Sequence, residues 1–250
     1  MNKKSRKHSS LDDQYEVVSK DCFLLQIAEQ VIADAEIDWM RTIGIDTKPQ
    51  SVLELGGAGG VTKILRPNWI VSDIREAPGI DLIANCLSLP FEDEKFDLVF
   101  AQDVLHHIGD LDLMFNELKR VLKPDGAVYF KEPYWSVPAK TVWKFLHPED
   151  FSLKRLTVEN EYRDPMDGNQ ALAYALLRKQ EFLPEFDFLD HVTVGELGVK
   201  TGLAFALSGG STFTTKVPRS WLIALHNWEM KHPGYLKFVG FSIAFSIRFK

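Results

Sequence analysis

One stretch limits the fold of this chain more than any other: Val52-Leu53-Glu54-Leu55 runs straight into Gly56-Gly57-Ala58-Gly59-Gly60. A short, mainly apolar run of this kind suits a strand covered on both faces, as in a parallel sheet. The glycines that follow allow positive φ and let the backbone approach a ligand closely. In open α/β sheets ligands sit at such a place, beyond the carboxyl end of the first strand. Four more apolar runs, residues 69–74, 80–84, 96–101 and 127–131, read as strands two to five. Between the last two, Leu111, Met114, Phe115, Leu118, Val121 and Leu122 follow the spacing of a helix with one buried face. Pro124-Asp125-Gly126 then turns the chain into the fifth strand. Upstream, residues 22–43 repeat apolar positions at helical spacing, and Gly44 is the expected stop. Strands alternating with helices predict an α/β fold, a parallel sheet wound by right-handed crossovers.

After Glu132 the alternation ends. Residues 140–146, 170–182 and 217–230 read as helices, the last with Pro218 in its first turn. Residues 187–194 read as a strand, and residues 238–249 as a closing strand. The expected organisation is a flexible tail over residues 1–20 and a single domain over 21–250. That domain divides into a ligand-binding half (21–133), an insertion or cap (134–236) and the closing strand (237–250).

Composition narrows the partners. A net charge of −6 leaves no basic surplus to neutralise a phosphate backbone, so no nucleic-acid partner is expected. The basic start, Lys3-Lys4-Ser5-Arg6-Lys7, is followed by polar and acidic residues rather than the apolar stretch of a signal peptide. Residues 238–247, the longest apolar run, are about half the ~20 residues of a membrane span. Peripheral contact is therefore the one mode of membrane association left open. Two cysteines, Cys22 and Cys86, are too few for a disulfide framework or a zinc cluster, which points to a cytoplasmic protein without a bound metal.

The chemistry centres on the glycine turn and on Asp73, which ends the second strand. A carboxylate there is placed to accept hydrogen bonds from both ribose hydroxyls of an adenosine ligand, though it also suits a turn cap. Gly57, Gly59 and Gly60 do not reproduce the G-x-G-x-x-G spacing of a dinucleotide site, and no Lys or Arg lies in the turn. These features suit a cationic ligand better than a pyrophosphate.

Several segments taken together resemble the class I S-adenosylmethionine-dependent methyltransferases, in particular the type 11 branch. They are VLELGGAGG at 52–60, Asp73, NCLSLPF at 85–91, FDLVFAQDVLHHI at 96–108 and LKRVLKPDGAVYFKEP at 118–133. A fainter likeness to bacterial relatives of mostly unassigned substrate continues through Asp164-Pro165 and Leu207-Ser208-Gly209-Gly210. The resemblance implies a Rossmann-like sheet of seven mostly parallel strands, the last antiparallel, with helices on both faces. It implies S-adenosylmethionine as cofactor. By position it assigns Glu54 to the methionine amino group, and Gly56, Gly57, Ala58 and Gly60 to the floor beneath methionine and ribose. Asp73 goes to the ribose, Ile74 to the adenine face, Asn85 and Cys86 to the adenine edge, and Ala101 and Gln102 to the methionine portion. Ala58 and Asn85 depart from the glycine and aspartate usual in the family, and both departures bear on cofactor affinity.

Methyl transfer is an in-line displacement that needs a base only where the acceptor must lose a proton. His107, His106 and Asp103 follow the fourth strand, where this architecture puts the methyl group. Each also has a structural reading, the histidines as packing under the cofactor loop and Asp103 as the N-cap of a short helix. Tyr134 and Trp135, after the fifth strand, either wall the acceptor site or belong to the core. The leading expectation is methyl transfer, at oxygen, to a small-molecule or glycan/lipid-linked acceptor. Two alternatives stand beside it: a catalytically silent methyltransferase-like binding subunit, and a nicotinamide-dependent oxidoreductase.

Overall fold

The computed structural model of the chain describes residues 11–57, 59–145, 151–153, 168–178, 190–210 and 215–250. Its strands are β1 (Val52–Leu55), β2 (Ile70–Asp73), β3 (Leu82–Ile83), β4 (Phe96–Gln102), β5 (Leu122–Pro133), β6 (Val192–Thr201) and β7 (Ser242–Phe249). They form one sheet in the order β3-β2-β1-β4-β5-β7-β6. The pairs from β3 to β5 are parallel, and β7 runs antiparallel to both β5 and β6. This is the expected Rossmann-like sheet. Strand order reverses between β1 and β4, which opens a crevice at the carboxyl ends of those two strands.

Helices cover both faces. Those described are α1 (Leu11–Ser19), α2 (Cys22–Ile43), α3 (Val61–Leu65), α4 (Leu111–Val121), α5 (Val137–Phe145), α6 (Leu172–Leu177), α7 (Leu203–Ser208), α8 (Arg219–Met230) and α9 (Pro233–Val239). On one face Met114, Phe115 and Leu118 of α4 meet Leu53, Val99 and Phe130. On the other, Phe23, Ile27 and Val31 of α2 meet Val52, Leu98, Phe100 and Tyr129. The alternation Leu98/Phe100 against Val99/Ala101 along β4 explains why residues 98–101 are all apolar: both faces are buried. Each such side chain stabilises the fold by roughly 1.5–3 kcal/mol relative to exposure.

Helix α2 begins where the Asp21 carboxylate accepts the N–H groups of Phe23 (3.0 Å) and Leu24 (3.3 Å). It ends at Gly44, whose φ of 72° closes a left-handed cap. Arg66, just past α3, binds Glu29 and Glu36 of α2 and so ties the helix after the glycine turn to the neighbouring layer.

The structure changes several expected boundaries. The first helix, α1, occupies residues 11–19 of the stretch read as a tail; residues 1–10 lie outside the described residues. Residues 122–126 are counted with β5, and the turn expected at Pro124-Asp125-Gly126 lies in the register shift between Phe96 and Leu98, where Gly126 comes back against Leu122 and Lys123. The sixth strand lies later than expected, at Val192–Thr201, beyond residues 187–189, which are outside the described set. The closing strand begins only at Ser242, because Pro233 at the first helical position starts α9 over Pro233–Val239. Pro218 sits at the N-cap of α8 rather than inside it. Of the helix expected over 170–182, Leu172–Leu177 is helical and residues 179–182 are not described. None of the described helices is long and apolar enough to cross a membrane.

Candidate active site

Glu54, Asp73 and the segments that follow β1, β2 and β4 lie toward the carboxyl ends of these neighbouring parallel strands. Glu54, on β1, is buried, and its Oε1 accepts the Thr62 hydroxyl of α3 at 2.9 Å. Its Oε2 is buried without a hydrogen-bond partner. Such an orphaned carboxylate oxygen costs free energy unless a ligand completes it. Burial first, and then the nearby Asp73 charge, push Glu54 up to about 8, against the lowering effect of the Thr62 hydrogen bond.

The glycines form a cradle. Gly56 has φ 66°, and a Cβ there would overlap the Val104 side chain. A Cβ on Gly57 would meet Val71 and the orphaned Glu54 Oε2. Gly60, at φ 58°, caps α3, and its would-be Cβ points into the Pro78 carbonyl and the Tyr15 ring of α1. Tyr15 thus sets α1 across the turn, a contact no local sequence signal announces. Ala58 lies outside the described residues.

Asp73 ends β2, is buried, and accepts the Arg75 N–H at 2.9 Å through Oδ1. Its role as a local turn cap is therefore present, and its second oxygen has no such commitment to that turn. Ile74, the next residue, is 46% exposed and presents an apolar side chain to the surface. Asn85 closes a tight turn: its Oδ1 accepts the Leu87 N–H and its carbonyl accepts the Ser88 N–H. Cys86 packs against the core, and burial pushes its thiol up to about 11. Ala101 is fully buried between Leu55 and Phe130, and Gln102 follows it at the mouth of the crevice.

The segment after β4 is organised by a residue outside the candidate set. Glu132, at the end of β5, is fully buried. Its Oε1 accepts the N–H groups of Val104 (2.9 Å) and Leu105 (2.8 Å), and its Oε2 lies 2.6 Å from His106 Nδ1. This one carboxylate caps the 3-10 turn Leu105–His107 that carries both histidines. Asp103 is not that cap. It adopts φ 56°, pairs instead with Lys131 Nζ at 2.6 Å, and leaves the capping to the buried glutamate. His106 is buried beside Glu132, and its carbonyl accepts the Asn169 N–H. His107 is half-buried, with its ring 4.2 Å from that of His106.

Tyr134 and Trp135 follow the end of β5 directly. Tyr134 is buried, and its hydroxyl donates to the Lys237 carbonyl at 3.2 Å. Trp135 is half-buried between the Tyr134 ring (4.5 Å) and the Tyr174 ring of α6 (4.5 Å). Tyr174 comes from the stretch where the sequence pattern was weakest. Among the described residues no cluster of His, Cys, Asp and Glu is arranged to hold a metal ion.

Comparison with known proteins agrees with this geometry. A family model described as a methyltransferase domain, type 11, matches residues 29–130, and a second methyltransferase-domain model matches residues 82–188. The chain is 32% identical over 141 residues to a glycine/sarcosine/dimethylglycine N-methyltransferase of Actinopolyspora halophila, covering 47% of this chain and 25% of that protein. It is 31% identical over 108 residues to phosphoethanolamine N-methyltransferase 2 of Caenorhabditis elegans, covering 33% and 24%. The chain thus spans about a quarter of the length of these two relatives. Among solved structures, the YcgJ protein of Bacillus subtilis aligns over 86% of this chain and 96% of its own, at 16% identity and a TM-score of 0.43. The matched stretches, the glycine turn and the sheet order together make residues 29–188 of this chain similar to the methyltransferase domains of the class I, type 11 kind.

Proposed function

We propose that the chain transfers a methyl group from S-adenosylmethionine to a small-molecule or glycan/lipid-linked acceptor, at an oxygen atom. The observation that carries this reading is the pair of buried carboxylates, Glu54 and Asp73, set at the ends of adjacent strands around the glycine cradle. Glu54 Oε2, buried and unpartnered, suits the methionine ammonium; Asp73 suits the ribose; the exposed Ile74 suits the adenine face. Gly56 and Gly57, where a Cβ would find no room, let the backbone form the floor. When bound, S-adenosylmethionine supplies a methyl group activated by a positively charged sulfur.

The remaining work falls to the chain. His107 accepts the proton that the acceptor oxygen gives up as it attacks. Glu132 holds His106 and the turn, and so sets the height of His107 above the cradle. Trp135 and Tyr174 wall the space the acceptor enters. The reading of a silent binding subunit draws on one observation: Asn85 Oδ1 already accepts a backbone N–H, which weakens it as an adenine contact.

Calorimetric titration with S-adenosylmethionine, S-adenosylhomocysteine and NAD tests the proposal. Binding of the first two, none of NAD, and loss of binding in Asp73→Ala are the expected results. NAD binding would return the oxidoreductase reading; tight binding with no transfer to any acceptor would favour the silent subunit.

A further inference from the structure

The last thirty-six residues carry a charge pattern opposite to that of the whole chain. Residues 215–250 contain six lysines and arginines and a single acid, Glu229, in a protein whose net charge is −6. Glu229 is fully buried, and its carboxylate accepts the N–H groups of Leu203 and Ala204 at the start of α7. The exposed face of α8 and α9 therefore presents cations without a neighbouring exposed acid from its own segment. Arg219 and Arg248 are engaged with Asp21 and Asp38, whereas Lys216, Lys231 and Lys237 stand at the surface.

Exposed apolar side chains stand on the same helices as these cations. Trp221 (71% exposed) and Trp228 (45% exposed) lie seven residues apart, on the side of α8 away from its buried residues Leu222, His226 and Glu229. The Trp228 ring packs 5.1 Å from Tyr235 of α9, and Phe238, three residues further along α9, is 75% exposed. Helix α5, which packs on α9, adds Val137 at 79% exposure. Its own sequence, VPAKTVWKF, contains two lysines and no acid.

Exposed tryptophans and a phenylalanine among lysines make the chemistry of a bilayer interface, where aromatic rings sit at headgroup depth and lysines meet anionic lipids. We infer that the α8–α9 face, with Val137 of α5, docks this protein onto the surface of an anionic phospholipid bilayer. A second copy of the chain fits less well, since a twofold contact would set Lys231 and Lys237 against like charges. RNA would satisfy the lysines but leave Phe238 and Val137 without an apolar partner. The face adjoins the wall of the candidate active site, because the Tyr134 hydroxyl is bonded to the Lys237 carbonyl and Val137 follows Trp135 by two residues.

The test is sedimentation of the full chain with vesicles of phosphatidylcholine, with and without phosphatidylglycerol, in the absence of cofactor. The result therefore does not depend on methyl-transfer activity. Binding is expected only on the phosphatidylglycerol vesicles, weakening as salt is raised. Removal of each lysine is expected to lower affinity about fivefold. The double variants W221S/F238S and K231E/K237E, all at exposed positions, should keep the wild-type melting temperature and each lose vesicle binding. Equal partition onto neutral vesicles, no binding at all, or full binding by both variants overturns the inference. So does a concentration-dependent dimer, seen by light scattering, that W221S/F238S dissolves.

Discussion

Replacing Glu54 by glutamine separates a carboxylate that receives the cofactor from one that is merely buried. Desolvation, then the charge of Asp73, push Glu54 up to about 8 from 4.5. At pH 7 about nine-tenths of unliganded molecules then carry a protonated Glu54, and a ligand ammonium must displace that proton. The penalty is roughly tenfold in affinity at pH 7, about a hundredfold at pH 6, and nearly nothing by pH 9. Calorimetry with S-adenosylhomocysteine, in two buffers of different ionisation heat, reads both the affinity and the proton released, about one per site at pH 7. The ligand's own amino group titrates in this range too, so the difference between wild type and Glu54→Gln isolates the residue. The stability of the free protein has the opposite sign. The folded-state value lies above the unfolded one, so Glu54 favours folding below about 4.5, and that contribution is lost as pH rises through about 8. The slope is at most about 1.4 kcal/mol per pH unit, and Glu54→Gln should remove it from the melting curve. Parallel affinity–pH curves for wild type and Glu54→Gln would refute the assignment of this carboxylate to the ammonium.

Three further outcomes follow from the same geometry. His107→Ala should lower turnover by about 10²–10⁴ while S-adenosylhomocysteine affinity stays within about twofold; unchanged turnover would leave His107 a packing residue. Glu132→Ala strips two buried N–H groups and His106 of their acceptor, which should cost about 3 kcal/mol or more and lower the melting temperature by roughly 6–12 °C. A fall of less than about 2 °C would show that the buried carboxylate does not hold the turn. Gly56→Ala meets both a φ of 66° and the Val104 side chain, so it should destabilise by about 1–2 kcal/mol from the backbone and about 1–3 from overpacking. Adding Val104→Ala should recover the packing part alone, which thermal melts of the single and double variants will read.

The sequence by itself determined the parts that rest on neighbours along the chain. Apart from Glu54 and Asp97, residues 52–55 and 96–101 are apolar on both faces because both faces of a central strand are covered, and that pattern is visible without coordinates. The glycines of the turn and the acid ending the second strand are likewise local, and the α2 boundaries follow from Asp21 and Gly44. Tertiary structure decided what depends on crossovers. Glu132 meets His106 across twenty-six residues because β5 lies beside β4, so the cap of the histidine turn could not be read from the turn itself, where Asp103 offers a capping reading beside that of a base. Tyr174 reaches Trp135 only through the packing of α6, and Tyr15 reaches Gly60 only through α1. Short apolar stretches after Glu132 fit helix or strand equally well by period, and Pro233–Val239 became helix where the run of residues 238–249 suggested strand. Local patterning sets which elements form, whereas the long-range pairings that build a site depend on where the sheet order places them.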